Sequence, residues 1–205
     1  MNLAPEDLAR ANCYALLARL FQAPPDASLL AALAASVDVG STEDNQDASE
    51  DAVLPAAWNE LGIAASRATV ASASAEYTDL FVAIGRPKVV LYASWYLTGF
   101  MMEKPLAALR DDLAALGLAR QDEVREPEDH FAALMEAMRH LVGDSDRPEV
   151  QRLALQQKFF LAHIDPWSDK LCDALDAAQD ANLYRAAGNF MRIFLALEKD
   201  FFQVE

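Results

Sequence analysis

Apolar residues along most of this chain recur every three or four positions, with polar and charged residues between them. This spacing places the apolar side chains on one face of a helix, because an α-helix advances about 100° per residue. No run alternates apolar and polar residues as a half-buried strand would. The pattern therefore predicts an all-α fold, a single helical-bundle domain of about eight or nine helices over residues 1–205.

Local start and stop signals place the individual helices. The first begins at Pro5 and ends at Pro24-Pro25, and Asp26 caps a short second helix. Helical spacing then continues from Leu54 to Val82, with a break predicted at Gly62. Later helices are predicted over residues 105–116, where Gly117 forms a left-handed cap, and over 127–143, 148–163, 166 onward and 182–202.

Two segments depart from the helical pattern. Residues 38–51, "DVGSTEDNQDASED", are polar and acidic and lack large apolar side chains, which predicts a mobile loop. Residues 83–99, "AIGRPKVVLYASWYLTG", are irregular and rich in aromatic residues. Gly85 and Pro87 mark a turn there, and Val89-Val90 favours an extended backbone.

Composition and charge narrow the function classes. The chain has only 7 glycines and 9 prolines, which suits helices, and its formal net charge is −15, from 32 acids against 17 bases. Such acidity repels a phosphate backbone, so we expect no nucleic-acid partner. A basic polypeptide is a better electrostatic match, although solubility alone also explains the charge.

The two cysteines, Cys13 and Cys172, are too few and too far apart for a disulfide framework or a thiolate zinc site. The first residues, MNLAPEDLAR, carry acids where a signal peptide has bases and an apolar run. No uninterrupted apolar run reaches the ~18 residues that a membrane span needs. We therefore expect a cytoplasmic protein with reduced thiols and no stable membrane insertion.

The stretch "EPEDHFAALMEAMRHL", residues 126–141, concentrates candidate chemistry. With Pro127 at the first helical position, Glu128 and Asp129 occupy the first turn and cap the helix, while His130 borders the apolar stripe. That stripe comprises Phe131, Leu134, Met135, Met138, Leu141 and Val142.

Three functional interpretations stand beside this structural one. A metal site needs ligands on one helix face, but Ala133 and Leu134 follow four residues after Asp129 and His130, so no metal is expected. A carboxylate–histidine pair suits acid–base catalysis, yet no nucleophile motif or phosphate loop accompanies it. The third interpretation is a recognition edge at the lip of an apolar groove.

Five motifs in order resemble the TorD/DmsD/NarJ family of redox-enzyme maturation chaperones. "EPEDH" is similar to that family's E-P-x-D-H signature. The others are "RANCYALLARLFQAPP" (10–25), "EYTDLF" (76–81), "LYASWYL" (91–97) and "HIDPW" (163–167). Leu91 stands where many members have a proline before the tyrosine. Together these motifs span nearly the whole chain.

The resemblance implies a TorD-like helical chaperone without catalytic turnover and without a cofactor of its own. Members bind the twin-arginine signal peptide of a molybdenum-containing oxidoreductase subunit in the cytoplasm. They hold the apo-subunit while its cofactor is inserted and delay its export until then. A leader with two arginines beside an apolar stretch needs carboxylates next to an apolar groove.

The resemblance assigns peptide binding first to Asp129 and His130, with Glu126 as a further arginine partner or a residue that positions the helix start. Aromatic residues of the irregular segment either line the groove or seal the core; these are Tyr92, Trp95 and Tyr96. In "HIDPW", His163 faces the site or packs, and Trp167 packs near the hinge between helices. No residue is assigned to catalysis or to a metal.

Two other functions stay open. A small nucleotide-binding or hydrolytic enzyme would use the Asp129/His130 pair, and a structural subunit would remain bound to one mature enzyme. The sequence does not name the client among dimethyl sulfoxide, trimethylamine oxide, nitrate and formate enzymes. The chain is expected to be a monomer or a domain-swapped dimer.

Overall fold

The computed structural model describes residues 3–37, 52–82, 85–120 and 126–203. These residues contain ten α-helices and no β-strand, which confirms the all-α prediction; the predicted loop at 38–51 lies outside them. Within the same residues, no helix has both the length and the apolar character to cross a bilayer. The helices are α1 (Pro5–Gln22), α2 (Ala27–Ala35), α3 (Val53–Arg67), α4 (Val70–Phe81), α5 (Ala93–Thr98), α6 (Lys104–Ala115), α7 (Phe131–Gly143), α8 (Glu149–His163), α9 (Asp165–Ala177) and α10 (Leu183–Gln203).

The chain divides into two compact units, each assembled from separate stretches of sequence. Unit 1 comprises Met1–Gln22, Val90–Leu171 and Lys199–Glu205, and unit 2 comprises Ala23–Val89 and Cys172–Glu198. The single domain over residues 1–205 stays a prediction from the sequence.

The core of unit 1 forms where α1 packs against α7. The apolar stripe predicted on α7 is buried throughout, as are Tyr14, Leu17 and Phe21 of α1. Phe21 meets Phe131 edge to face, with ring centroids 5.0 Å apart. Burial of each such large side chain contributes about 1.5–3 kcal/mol, so this seam holds α7 against α1.

In unit 2, a side chain from α4 caps the start of α10. The Glu76 carboxylate accepts hydrogen bonds from the backbone amides of Asn182, Leu183 and Tyr184 at 2.8, 3.3 and 2.9 Å. These are amides that a helix start leaves without internal partners. The adjacent Tyr77 ring lies 5.9 Å from the ring of Tyr184. The "EYTDLF" motif therefore joins two helices of unit 2.

The predicted break at Gly62 is wrong. Gly62 lies inside α3, and the break falls at Ala68-Thr69, where a capping box between Thr69 and Ser72 starts α4. A Cβ added to Gly62 would come within 2.8 Å of Val37 and within 2.9 Å of the carbonyl oxygen of Leu33. This glycine thus permits close packing of α2 on α3 and does not interrupt a helix.

The irregular segment is shorter than predicted. Residues 85–92 are non-helical, with Gly85 at φ 106°, but residues 93–98 form α5. This additional helix brings the count among the described residues to ten. Helix α5 ends at Gly99, whose φ of 83° is left-handed, and its amide donates to the carbonyl of Trp95 at 2.8 Å. The left-handed conformation predicted for Gly117 after α6 is confirmed, with φ 75°.

Candidate functional site

Helix α7 begins four residues later than predicted. Its N-cap is His130, at φ −64° and ψ 135°, and the ring Nδ1 accepts a hydrogen bond from the Ala132 amide at 3.2 Å. Pro127 precedes the helix, in a turn whose carbonyl accepts from the His130 amide at 3.1 Å. The assignment of Pro127 to the first helical position is therefore wrong, because the backbone at His130 is extended.

A short backbone pairing explains that extended conformation. Tyr92 and His130 form an isolated antiparallel bridge. On either side of it, the Ala93 amide donates to the Asp129 carbonyl at 3.0 Å, and the Phe131 amide donates to the Leu91 carbonyl at 2.7 Å. The aromatic motif and the E-P-x-D-H motif are thus joined directly through their backbones.

Asp129 is buried behind this bridge, with 1% of its surface exposed. Its Oδ2 accepts hydrogen bonds from the Ser94 amide at 3.0 Å and from the Ser94 hydroxyl at 2.5 Å. Its Oδ1 has no hydrogen-bond partner among the described residues. The prediction that Asp129 caps α7 is wrong, because its carboxylate is turned toward α5.

Asp129 and His130 form no hydrogen bond with each other in the described part of the chain. The Asp129 carboxylate binds Ser94, and the His130 Nδ1 accepts from a backbone amide. In an acid–base dyad of this kind, the carboxylate would accept from the imidazole Nδ1–H. The arrangement that the hydrolytic alternative requires is therefore not formed.

His130 lies edge to face against Tyr92, with ring centroids 5.1 Å apart. Because Nδ1 accepts a hydrogen bond, the proton of the neutral imidazole is assigned to Nε2. Burial lowers the pKa of His130 below its usual value, and the negative charges of Glu126 and Asp129 oppose this effect without cancelling it. His130 is thus a neutral N-cap with one donor available.

We expect the stability of the protein to fall as His130 becomes protonated. The pKa of this group in the folded state lies below its unfolded value of about 6.5, so its contribution is complete above that pH. The contribution is lost as the pH falls through the lowered folded pKa. His130→Asn retains an N-cap acceptor but does not titrate. Urea unfolding between pH 7.5 and 5 should show wild type losing free energy of unfolding relative to the variant, whereas a constant difference would contradict this assignment.

A cleft of about 470 Å³ opens beside His130 and the first three turns of α7. This volume lies in the range of ordinary ligand pockets. Leucine and alanine side chains form its apolar wall, including Leu113, Leu118 and Leu134. Its polar lining comprises Gln22, Arg120, Glu126, Glu128, Glu136, Arg139 and His140.

The three glutamates of the cleft differ in their partners. Burial by itself raises the pKa of the Glu128 carboxyl. Its pairs with Arg110, at 2.8 Å, and Arg120, at 3.6 Å, together with a backbone hydrogen bond hold that pKa below its usual range. Glu136 pairs with Arg139 at 2.7 Å. Glu126 accepts a hydrogen bond from the Tyr92 hydroxyl, and no described lysine or arginine pairs with it. Glu126 is therefore the carboxylate best placed to receive a cation from a ligand.

Three other residues predicted in the site, His163, Trp167 and Tyr96, contact each other or Asp112. His163 Nε2 lies 2.8 Å from a carboxylate oxygen of Asp112. Trp167 is fully buried; its indole nitrogen donates to the His163 carbonyl at 2.8 Å, and its ring stacks on Tyr96 with centroids 5.4 Å apart. In this conformation Trp167 presents no surface to a ligand. Trp95 is half-buried on α5.

The structure therefore brings together Tyr92, Glu126, Asp129 and His130. The sequence alone assigned no role to Ser94, although this residue lies inside the aromatic motif LYASWYL. Its hydrogen-bond partner, Asp129, is 35 residues away, and no local pattern in the sequence indicates that contact. Glu128 was predicted only as a helix cap, and Glu136 was not predicted as a site residue.

The fold and this site define an all-helical protein with an acidic, partly apolar cleft at the start of one helix. The family model described as "Nitrate reductase delta subunit" matches residues 47–173, more than half of the chain. The chain belongs to this family, which includes the TorD and NarJ proteins.

Two relatives carry the name "Chaperone protein TorD". The protein of Vibrio cholerae serotype O1 is 29% identical over 132 residues, which cover 62% of this chain and 60% of that protein. The protein of Vibrio atlanticus is 24% identical over 135 residues, which cover 62% of this chain and 63% of that protein. The match thus spans less than two thirds of the length of either relative.

Proposed function

We propose that this protein is a cytoplasmic chaperone for a molybdenum-containing oxidoreductase subunit. It binds the twin-arginine signal peptide of the apo-subunit, assists cofactor insertion and delays export until the cofactor is in place. The chaperones named among its relatives and the five motifs support this proposal. It has no catalytic turnover in this role.

The observation that carries the proposal is the cleft at the start of α7. There an apolar wall faces the same space as Glu126, a carboxylate with no basic partner among the described residues. A guanidinium group forms paired hydrogen bonds with a carboxylate, and these are stronger than hydrogen bonds between neutral groups. The leucines of the wall provide the apolar surface that a side-chain stem or a neighbouring apolar residue needs.

Each site residue has a distinct part in this proposal. Glu126 receives a guanidinium, and the neutral His130 donates its Nε2–H to a peptide carbonyl. Asp129 holds Ser94 and adds its negative charge to the potential at the cleft, where low exposure limits screening. Tyr92 keeps the Glu126 carboxylate beside His130 through its hydroxyl.

A peptide with two consecutive arginines followed by an apolar run should bind with a Kd of about 1 µM or lower. Changing both arginines to alanine should weaken it at least about tenfold, and salt should weaken the original peptide more than the alanine peptide. Isothermal titration calorimetry measures both effects. Equal affinity for the two peptides would refute arginine recognition.

A matched pair of protein variants locates the contact. Glu126→Gln removes the negative charge that is proposed to bind the guanidinium. Glu149→Gln removes an exposed charge from the start of α8 in the same unit. We expect about a fivefold loss of affinity for the first variant and no change for the second. If the two variants bind the peptide equally well, only general electrostatic attraction acts.

Co-purification separates a chaperone from a structural subunit, because a chaperone is absent from the mature client complex.

A further inference from the structure

The turn that follows α5 exposes four apolar side chains within six residues: Leu97, Phe100, Met101 and Met102. We call residues 97–102 the apolar turn. Phe100 is 68% exposed and Met102 is 70% exposed. Methionine is usually buried in a core, but Met101 and Met102 are exposed.

Hydrogen bonds hold the apolar turn in its exposed shape. The Thr98 hydroxyl donates to the Ser94 carbonyl at 2.9 Å and accepts from the Phe100 amide at 3.2 Å. Gly99 is left-handed, and Met102, at φ 57°, is the non-glycine residue with positive φ in the described chain. Such a conformation is disfavoured for a residue with a side chain and persists only where the surrounding contacts enforce it. These contacts therefore hold Phe100 and Met102 in solvent at an energetic cost.

A hydrogen-bonded link through buried Ser94 joins the apolar turn to the site at the start of α7. The Ser94 hydroxyl that donates to Asp129 also accepts a hydrogen bond from the Met102 amide at 3.2 Å. One oxygen atom thus joins the E-P-x-D-H motif to the exposed methionine. The Met102 amide and the Asp129 carboxylate thus bind the same hydroxyl, and Asp129 directly precedes His130 in the chain.

We propose that the apolar turn binds the apolar run of the same basic peptide, and that Ser94 is a positioning residue that sets its distance from the acidic cleft. The proposal rests on the proposed function, because it assigns the second half of that ligand. The two methionines suit a variable apolar ligand, since their flexible, polarisable side chains adapt to different shapes. Phe100 supplies a large apolar contact.

The test compares Phe100→Ser/Met102→Ser with Val150→Ser by calorimetry. Val150, on α8 of the same unit, is 81% exposed and serves as the matched control. Three peptides are used: arginines with an apolar run, arginines with that run changed to serine, and the apolar run with the arginines changed to alanine. We expect the double variant to bind the first peptide about tenfold more weakly, to bind the serine peptide as wild type does, and to unfold at the wild-type temperature.

The outcomes separate this proposal from the function it rests on. Arginine-dependent binding by wild type that the double variant retains in full would overturn the apolar turn as a subsite and leave the proposed function intact. Equal affinity of wild type for all three peptides would overturn both. A changed oligomeric state of the double variant in light scattering, with peptide affinity unchanged, would assign the turn to a second copy of the chain and refute the proposal.

Ser94→Ala tests the positioning role. It removes the hydroxyl shared by Asp129 and Met102 but no group that contacts the peptide. We expect weaker binding of the peptide that carries both arginines and the apolar run, with less effect on the serine peptide. Ser94→Thr, which retains the hydroxyl, should restore part of the loss. Equal effects of Ser94→Ala on the two peptides would contradict the coupling.

Discussion

Replacing Asp129 with alanine is expected to lower the free energy of unfolding by about 3 kcal/mol. Ser94 is fully buried, and both its amide and its hydroxyl donate to the Asp129 carboxylate. The alanine variant leaves these two donors without that acceptor, and each buried donor without a partner costs about 1–3 kcal/mol. Urea unfolding of Asp129→Ala measures the loss. Asp146→Ala, at an exposed aspartate of the same unit, should change stability by less than about 0.5 kcal/mol.

Asp129→Asn separates the structural role of this residue from its electrostatic one. Its side-chain oxygen retains both contacts with Ser94, so we expect a loss of stability within about 1 kcal/mol. The negative charge is gone, however, and the arginine peptide should bind several-fold more weakly. Stability equal to that of the alanine variant would contradict the hydrogen-bonding role. Full affinity for the peptide would restrict Asp129 to that structural role.

Breaking the buried ion pair between α1 and α8 is expected to have the largest effect on stability. Arg152 donates to Asp7 at 2.5 Å, and both residues are about nine-tenths buried. Arg10 bridges the Asp7 carboxylate, at 3.2 Å, to the Gln156 side chain, at 2.9 Å. Asp7→Leu leaves Arg152 buried without its acceptor, which should lower the free energy of unfolding by about 3–4 kcal/mol.

The double variant Asp7→Leu/Arg152→Met should recover most of that loss. It removes both charges and replaces them with apolar groups of similar volume, so neither desolvated charge remains uncompensated. Arg139→Met provides the control, because its pair with Glu136 is exposed and should contribute less than about 0.5 kcal/mol. A double variant as unstable as the sum of the single changes would show that the two side chains act independently.

Much of the fold followed from local signals in the sequence. Helix α1 has proline and acids at its start and two prolines beyond its end, and α2 is capped by Asp26, whose carboxylate accepts from the Leu29 amide at 2.8 Å. Gly117 adopts the left-handed conformation predicted for it. Each feature depends on residues within one or two turns, so a pattern along the chain predicts it.

The candidate site was only partly predictable. The motifs selected Tyr92, Glu126, Asp129 and His130, which lie together in the structure. They did not show that Asp129 is buried, or that His130 is the helix cap. The helix break predicted at Gly62 was wrong for the same reason, because the role of this glycine depends on a helix packed against it.

By itself, then, the sequence determined the helical periodicity, the acidic character and the motifs that mark the family. The tertiary structure decided where α7 begins, which cleft carboxylates pair with the described arginines and which apolar residues stay exposed. Glu76 likewise caps α10 from 106 residues away. Hydrogen-bond partners so distant in sequence have no local signature, because the chain brings them together only when its apolar faces pack.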